Sequence, residues 1–447
     1  MSSRKRNKAA LNPEALGRTL DRLLAPARAD AILLAYSGGA DSTVLLHLLT
    51  RLRNHRDFSL HAVHFDHGLS SASDSWVQHC SRMCAQLGVP LHTESLDVCD
   101  EGKGMEAAAR AARYAALERE LASGEVLLTA HHRDDQAETL LLRLARGAGT
   151  RGLAGLLPVR RFAAGQLARP LLEYSREEIL DYARTHGLEW VEDESNEDRS
   201  FDRNYLRHEI LPALRGRWPG IDRVLARTAG LLADERVLLE ERAREDWDHC
   251  AVGDELSVSA CTGLSDARLR NLLVHWLSSM PPAMRHIDEL VGQIREPSAT
   301  RHAAIGWSGG EVRRYRDRLL LHRSLSQVES FSYSWDPDEE LEIPGLGIVL
   351  RSQRVQGRGL ALARLRAPLT VRGRVGGERY RLPGQAFSRP LKKLLQESGI
   401  PPWQRPRLPL LFVGEDLAAI GDRWVCAPFA AGPHESGLTL HIEAISP

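Results

Sequence analysis

The sequence predicts an α/β fold that begins with a parallel-sheet domain and continues into a mainly helical middle domain and a small basic α+β C-terminal domain. Three observations carry this prediction. A long helical pattern extends from 221 to about 248, and glycine and proline punctuate the short segments after 345. Before that, segments of helical period alternate with apolar, strand-like runs, an order typical of a parallel sheet covered on both faces. These runs are 31–36, 60–65, 91–96 and 125–130.

Domain boundaries follow from changes in this pattern. After 221 the helical period recurs at 267–276 and 287–294, and a strand-like run follows at 313–321. We expect a nucleotide-binding catalytic domain, a substrate-binding middle domain, a linker with short strands and a C-terminal RNA-binding domain. Their predicted boundaries are 1–220, 221–325, 326–365 and 366–447.

Residues 37–42, with the sequence SGGADS, connect the first predicted strand to the helix that follows it. Glycine lets the backbone approach an anion closely, and N–H groups at a helix N-terminus bind phosphate. Asp41 stands near the place where a P-loop has lysine, so we expect this carboxylate to hold Mg²⁺. A tight strand-to-helix turn with a polar cap is the structural alternative. The residues predicted to bind the nucleotide are Ser37, Gly38, Gly39, Ala40, Asp41 and Ser42.

Histidines follow two other predicted strands, at 64–67 and 131–132. Because parallel strands present their carboxyl ends at one edge, these segments and the glycine loop should converge on one crevice. We expect His67 or His131 to line it, where a neutral imidazole hydrogen-bonds a ligand or acts as a general base. A zinc site is disfavoured, because neighbouring histidines diverge on extended backbone.

Asp135 and Glu138 lie three residues apart on a helix predicted at 134–146, so they share one face. Acidic residues in a first helical turn also favour the helix dipole without any further role. The functional alternative is that the two carboxylates hold a cationic amine and relay its proton. Their spacing alone does not choose between these interpretations.

Arginines also recur at helical spacing, with Arg110 and Arg113 three residues apart and Arg203 and Arg207 four apart. Guanidinium groups bind phosphates in a bidentate manner, so these side chains could hold ATP or an RNA backbone. Asn204 offers a donor and an acceptor that suit a base edge. Ion pairs with nearby acids are the alternative for each arginine.

The net charge of the chain is zero, with 59 basic and 59 acidic residues, but the charges are segregated. Residues 351–407 contain twelve arginines and two lysines against two glutamates, a net charge of +12. Such a segment favours a polyanionic partner that binds in a salt-dependent manner. Lys392 and Lys393 are candidate contacts with that partner.

Composition also bounds the cellular context. None of the six cysteines forms a Cys-x-x-Cys pair, so neither a zinc knuckle nor a disulfide framework is supported. No window holds about 18 uncharged apolar residues, and the basic start is not followed by an apolar signal region. We therefore expect a cytoplasmic protein.

Several segments together resemble one family, the tRNA(Ile)-lysidine synthetases. The hexapeptide at 37–42 resembles the pyrophosphatase-type loop, or PP-loop, of enzymes that split ATP between its α and β phosphates. The resemblance is dense through about residue 220 and partial near the C-terminus. The matching segments are HFDHGLS at 64–70, MEAAARAARY at 105–114, AHHRDDQAET at 130–139, RGAG at 146–149, RPLL at 169–172, DESN at 193–196, RNYLR at 203–207, LKKLLQE at 391–397 and PPW at 401–403.

The resemblance implies a ligase that uses ATP and Mg²⁺ and acts on tRNA(Ile) with a CAU anticodon. In the implied reaction the C2 oxygen of the wobble cytidine attacks the α-phosphate, pyrophosphate leaves, and the ε-amine of L-lysine displaces AMP from C2. The product, lysidine, changes the codon read from AUG to AUA. The implied catalytic residues are Asp41, Asp135, Glu138 and His131, and the implied substrate or tRNA contacts are His67, Arg110, Arg113, Arg203, Asn204, Arg207, Lys392 and Lys393.

Three alternative functions stay open, as does the choice between a monomer and a homodimer. A tRNA-thiolating enzyme on the same loop would be expected to carry catalytic cysteine pairs or cluster ligands. A small-metabolite synthetase would not need the +12 segment. A non-catalytic, ATP-gated RNA-binding protein would bind ATP without releasing pyrophosphate.

Overall fold

The structure is a computed structural model that describes residues 10–25, 30–66, 73–98, 105–192, 197–296, 304–323, 330–365 and 368–445. The chain divides into two compact units, Met1–Arg242 and Ala243–Pro447. The phosphate loop and the paired carboxylates of the sequence analysis belong to the first unit. The basic segment belongs to the second.

The first unit alternates strands and helices. Its strands are β1 (Ala31–Ala35), β2 (Ser59–Asp66), β3 (Leu91–Ser95), β4 (Val126–Leu128), β5 (Val159–Phe162) and β6 (Gly165–Ala168). Its helices are α1 (Pro13–Leu24), α2 (Ala40–Arg53), α3 (Ser73–Gln86), α4 (Met105–Glu120), α5 (Arg133–Ala145), α6 (Thr150–Leu153), α7 (Arg176–Thr185), α8 (Asp202–Tyr205), α9 (Leu211–Arg217) and α10 (Ile221–Cys250), whose last residues fall in the second unit. One π-helical turn, Leu206–Ile210, separates α8 from α9.

The six strands form one sheet in the order β3-β2-β1-β4-β6-β5. Neighbouring strands are parallel, except for β5 and β6, which pair antiparallel. The four strands predicted from apolar runs are confirmed as a parallel sheet. The sequence analysis did not predict β5 and β6, because two arginines interrupt β5 and β6 is only four residues long.

Side chains of β1 alternate between two hydrophobic cores, as the pleat of a strand requires. Ile32 and Leu34 pack in a core that includes residues of α1, α2, α3 and α7. Leu33 packs in a second core, together with Leu117 of α4. The sheet is therefore covered on both faces, as predicted, and burial on both faces explains the continuous apolar run in β1.

The second unit begins with helices and a five-stranded antiparallel sheet of order β7-β8-β11-β10-β9. The helices are α11 (Val258–Thr262), α12 (Asp266–Trp276) and α13 (Met284–Arg295), and the strands are β7 (Ala251–Val252), β8 (Glu255–Ser257), β9 (Ala304–Trp307), β10 (Gly310–Tyr315) and β11 (Arg318–His322). The predicted helices are confirmed. The single strand predicted at 313–321 is wrong, because Arg316, at a φ of 54°, turns the chain between two paired strands.

The C-terminal part consists of two larger sheets, of order β12-β16-β19-β20-β21 and β13-β14-β22-β15, and a two-stranded sheet of β17 and β18. Its elements are β12 (Ser332–Trp335), β13 (Leu341–Ile343), β14 (Ile348–Gln356), β15 (Leu360–Ala361), β16 (Leu369–Arg372), β17 (Arg379–Tyr380), β18 (Arg389–Pro390), α14 (Leu391–Glu397), β19 (Leu410–Val413), β20 (Asp416–Ile420), β21 (Trp424–Val425) and β22 (Ser436–Ala444).

Residues 326–365, predicted as a linker with short strands, contribute β12 to β15 to these sheets. The pairing of β14 with β22 extends from Ile348 opposite Ala444 to Gln356 opposite Ser436. We therefore propose that the C-terminal domain starts near residue 330, and the other domain boundaries stay predictions. None of the described helices is both long enough and apolar enough to cross a membrane.

Candidate active site

The loop between β1 and α2 has the geometry of a phosphate cradle. Gly38 has a φ of +80°, and a Cβ atom at this position would lie 2.8 Å from the Cys80 Sγ atom. Gly39 is the N-cap of α2 and has no side chain to satisfy the first N–H groups of that helix. Ser42 fixes the loop by donating a hydrogen bond to the Gly39 carbonyl at 3.0 Å, and its hydroxyl lies 3.1 Å from that of Ser37. These backbone N–H groups are therefore placed to receive an anion.

Asp41 lies in the first turn of α2, beside the helix that follows β4. Its Oδ2 atom is 3.5 Å from the Nε2 atom of His132. Its Oδ1 atom is buried and has no hydrogen-bond partner among the described residues. A buried carboxylate oxygen that lacks a partner fits a hard cation such as Mg²⁺, which prefers oxygen ligands. Asp41 is therefore the residue of this loop that could hold a metal ion beside bound phosphates.

His132 is the N-cap of α5, where it forms a capping box with Asp135. The Asp135 N–H group donates to the His132 Nδ1 atom at 3.4 Å, and the His132 N–H group donates to Asp135 Oδ2 at 2.9 Å. The His132 Nε2 atom lies 3.5 Å from carboxylate oxygens of both Asp41 and Asp135. Burial lowers the pKa of His132, but these carboxylates and Asp134 outweigh it and raise the pKa to about 9. The His132 Nδ1 atom also lies 3.9 Å from Asp134 Oδ1.

The two predicted carboxylates are brought together, and both contact arginines: Arg203 lies in α8 and Arg207 in the π-helical turn that follows it. Arg203 donates through Nη2 to Asp135 Oδ1 and through Nε to Glu138 Oε2, each at 2.7 Å. Arg207 donates through Nε to Glu138 Oε1, also at 2.7 Å. Burial raises the pKa of Asp135, but His132, Arg203 and His131 together hold it well below its usual value. Ion pairing, the alternative left open for Arg203 and Arg207, is therefore the arrangement found.

This pairing changes what the carboxylates can do. Glu138 is only 1% exposed and both of its oxygens accept hydrogen bonds from guanidinium groups. An incoming ammonium would have to replace an arginine at these oxygens. Asn204, predicted to contact a base edge, instead donates from Nδ2 to the Asp198 carbonyl at 2.9 Å.

His131 and His132 diverge, as expected for neighbouring residues on extended backbone. The Nδ1 atom of His131 lies 2.9 Å from the Thr129 hydroxyl oxygen. Burial lowers the pKa of His131 to about 3; Asp135 opposes this effect, and the guanidinium groups of Arg169, Arg203 and Arg110 add to it. An imidazole with this pKa is neutral at pH 7, and the general-base role of His131 stays a prediction.

Four of the remaining predicted contacts have a described place in the fold. Arg110 and Arg113 are on α4, and the Arg110 Nη2 atom donates to the Tyr114 hydroxyl at 3.3 Å. His67 and the DESN segment at 193–196 lie outside the described residues. Lys392 and Lys393 are exposed on α14.

The basic segment of the second unit is less positive in the fold than in the sequence. Several of its arginines form ion pairs, and most of the partners lie outside 351–407, so local sequence counting misses them. These pairs are Arg351 with Glu340 and Glu443, Arg354 with Asp338, Arg364 with Glu435, Arg374 with Glu378, and Arg389 with Glu397. Neither Lys392 nor Lys393 forms an ion pair with any other described residue. These two lysines stay the best predicted phosphate contacts of that segment.

The sequence analysis missed His132 as the residue that joins the phosphate loop to the carboxylates. A signal was present, since His132 and Asp135 have the spacing of a capping box at the start of a predicted helix. The contact of His132 with the Asp41 carboxylate could not be predicted from sequence, because it depends on β1 and β4 being neighbours in the sheet.

Comparisons with known proteins match most of the chain. Three family models match: a PP-loop domain over residues 13–214, a TilS substrate binding domain over 256–320 and a TilS substrate C-terminal domain over 369–442. A tRNA(Ile)-lysidine synthase of Alkalilimnicola ehrlichii is 44% identical over 95% of this chain and 96% of its own length. The corresponding proteins of Xanthomonas campestris pv. campestris and Escherichia coli O157:H7 are 42% and 41% identical, over 89% and 91% of this chain and 91% and 95% of their own lengths.

Proposed function

Because this chain belongs to the tRNA(Ile)-lysidine synthase family, we propose that it ligates L-lysine to C2 of the wobble cytidine in the CAU anticodon of tRNA(Ile), in an ATP-dependent reaction. One structural observation carries the proposal. The phosphate loop after β1 and the charged group after β4, made of His132, Asp135 and Glu138, meet through the contact of His132 with Asp41. ATP bound at the end of β1 and a second substrate bound at the end of β4 would therefore be adjacent.

The phosphate loop is proposed to bind the ATP phosphates. Backbone N–H groups of the loop and of the first turn of α2 face the ligand, and the helix dipole favours negative charge there. Asp41 would hold Mg²⁺ through its unpartnered Oδ1 atom. When bound, this ion neutralises charge that builds up on the phosphates as pyrophosphate leaves.

Adenylation supplies the activation that the cytosine ring lacks. The C2 carbonyl of cytidine is a poor electrophile, so direct attack by an amine would be slow. Attack of the C2 oxygen on the α-phosphate forms a C–O–P linkage and releases pyrophosphate. The ε-amine of lysine then attacks C2, the C2–O bond breaks, and AMP leaves with that oxygen while the amine loses a proton.

The charged group after β4 is proposed to position the amine. Asp135 and Glu138 form ion pairs with Arg203 and Arg207, and the side chains of these arginines are 26% and 21% exposed. A lysine ammonium that replaces Arg203 at Asp135 would be held beside this carboxylate and oriented for attack on C2. The same exchange would free a guanidinium for the RNA backbone or the nucleotide phosphates.

Incorporation of labelled lysine tests the function. The purified chain is incubated with an isoleucine tRNA transcript that carries a CAU anticodon, with and without ATP, beside a matched transcript with a UAU anticodon. ATP-dependent labelling of the CAU transcript alone is expected. Pyrophosphate release without lysine transfer would instead favour a different acceptor chemistry. The thiolating and non-catalytic alternatives are not favoured, since two of the matched family models are TilS domains and the relatives reported above are tRNA(Ile)-lysidine synthases.

A further inference from the structure

Arg169 follows β6, in the RPLL segment, and has no role in the reaction outlined above. It is only 4% exposed. Its Nη1 atom donates to the Leu157 carbonyl at 2.7 Å, and its side chain also hydrogen-bonds the Tyr114 hydroxyl. Its Nε atom is buried and has no hydrogen-bond partner among the described residues. A donor of this kind is rare in a folded protein, because a buried N–H group without an acceptor is costly.

The groups that face Arg169 are cationic rather than acidic. The charged neighbours that influence its guanidinium are Arg160 and Arg110, and within the described chain it forms no ion pair with a carboxylate. The Arg110 Cζ atom lies 4.9 Å from the centroid of the Tyr114 ring, and that of Arg160 lies 5.7 Å from it. Three guanidinium groups therefore surround one phenol. Buried arginines are normally paired with an anion, and among the described residues this cluster has no carboxylate as its counter-ion.

The position of the cluster in the sheet indicates which anion it receives. β6 pairs with β4, and the Thr129 N–H group donates to the Ala168 carbonyl at 3.1 Å, so Arg169 lies beside the segment that carries His131. β4 lies between β6 and β1. Two strand spacings, about 10 Å, therefore separate the carboxyl end of β6 from the phosphate loop. At that distance from the phosphate loop, we expect the cluster to face lysine or the tRNA rather than the triphosphate of ATP.

We propose that Arg169, Arg110 and Tyr114 form a binding site for an oxyanion of lysine or tRNA, the two substrates other than ATP. This proposal rests on the lysidine-forming function proposed above. Two groups in that reaction supply such an oxyanion. One is the α-carboxylate of lysine, and the other is the phosphodiester beside the reacting cytidine. Either would accept the unused Nε–H donor and neutralise the buried charge.

Steady-state kinetics of the full chain with Arg169→Gln test the site and distinguish its two sources. The KM values for lysine, tRNA and ATP are measured separately, and lysine amide is compared with lysine. We expect the KM of either lysine or tRNA to rise about ten- to a hundredfold and the KM of ATP to stay within twofold of the wild-type value. If the ligand is the carboxylate, the preference for lysine over lysine amide also collapses. If it is the phosphodiester, the KM for tRNA rises and this preference survives.

Two further variants separate binding from folding. Arg53→Gln is the matched control, because Arg53 also donates to backbone carbonyls, those of Leu87 and Gly88, but lies at the C-terminal end of α2, opposite the end that carries the phosphate loop. Arg110→Gln removes a less buried member of the site, so it reports on the site even if Arg169→Gln does not fold, and we expect a smaller rise in the same KM.

Three results would overturn the site. The first is unchanged KM values in Arg169→Gln or, if that variant does not fold, in Arg110→Gln. The second is a rise in the KM for ATP as well. The third is a loss of kcat and thermal stability no different from that of Arg53→Gln. If the wild-type protein forms lysidine and the variants give one of these results, the oxyanion site is refuted but the proposed function is not. If the wild-type protein forms no lysidine, both the proposed function and the oxyanion site are refuted.

Discussion

His132 and Asp41 stand 3.5 Å apart, one at the start of α5 and the other in the first turn of α2. The contact exists because β1 and β4 are parallel neighbours, so the helices that follow them begin at the same edge of the sheet. It joins the phosphate loop to the carboxylate of Asp135, which lies 3.5 Å from the same nitrogen. The account of the reaction depends on this link.

Asp41→Asn should abolish metal-dependent chemistry and leave the fold intact. The amide keeps the size of the side chain but removes the charge that would hold Mg²⁺, so we expect pyrophosphate release to fall at least a hundredfold, about 3 kcal/mol. Pyrophosphate release and thermal unfolding are measured side by side. Asp74→Asn is the control, because Asp74 is also an acid in a first helical turn, on α3. Equal loss in both variants would contradict the metal role.

Gly38→Ala should impair the phosphate loop through both conformation and space. A φ of +80° strains a residue with a Cβ, at a cost of about 1–3 kcal/mol, and that Cβ would lie 2.8 Å from the Cys80 Sγ atom. Gly187→Ala is the matched control, since Gly187 has a φ of +61° with open space around it. We expect both to lose stability but only Gly38→Ala to bind ATP more weakly, by tenfold or more. ATP affinity that is unchanged in Gly38→Ala argues against the loop as the phosphate site.

Glu138→Gln should destabilise the first unit strongly. Glu138 is buried and accepts hydrogen bonds from Arg203 and Arg207, so removing its charge leaves these two guanidinium groups to share the single carboxylate of Asp135. Breaking a buried pair of this kind costs about 3–5 kcal/mol. Denaturant unfolding measures the loss. In a double-mutant cycle with Arg207→Gln, the combined loss should be smaller than the two single losses together, and strict additivity would show that the pair does not interact.

The protonation of His132 should make stability fall with pH between about 6.5 and 8. The pKa of His132 is raised to about 9 in the folded protein, against about 6.5 when unfolded, so its stabilisation is fully present below pH 6.5 and is lost as pH rises through 9. The slope cannot exceed about 1.4 kcal/mol per pH unit for one group. Unfolding free energy is measured across this range for wild type and His132→Gln.

His131 and Cys80 also have shifted pKa values, but they change the unfolding free energy outside about pH 6.5–8. They therefore do not obscure the comparison of wild type with His132→Gln. The pKa of His131 is lowered to about 3, so its protonation affects stability only below pH 6.5. Burial raises the pKa of Cys80 to about 12, so its thiol lowers stability only above the ordinary cysteine pKa of about 8.5. A slope that persists in His132→Gln would contradict the assignment.

Much of the fold could be predicted because its signals are local. The four central strands are continuous apolar runs, since both faces of that sheet are buried. The glycine loop was recognised because Gly38 needs a left-handed conformation. In contrast, β14 is rich in arginine and glutamine, and it is a strand only because β22 pairs along its whole length.

The contacts of the site were harder to predict than its residues. Sequence spacing placed Asp135 and Glu138 on one face, but the arginines that bind them come from a distant π-helical turn and the residues before it. The acidic partners of Arg351, Arg354 and Arg364 likewise lie outside the basic segment. Such pairings depend on tertiary structure, so a count of charges along the chain overestimates the positive surface.

The most direct test of the central claim follows one oxygen atom. A tRNA(Ile) transcript is prepared with ¹⁸O at C2 of the wobble cytidine and incubated with the purified chain, ATP, Mg²⁺ and lysine, and the released AMP is analysed by mass spectrometry. Our account predicts that AMP carries the ¹⁸O, because the C2 oxygen attacks the α-phosphate and leaves with it. AMP without the label, beside a modified transcript, would show that C2 is not activated by adenylation and would contradict the account.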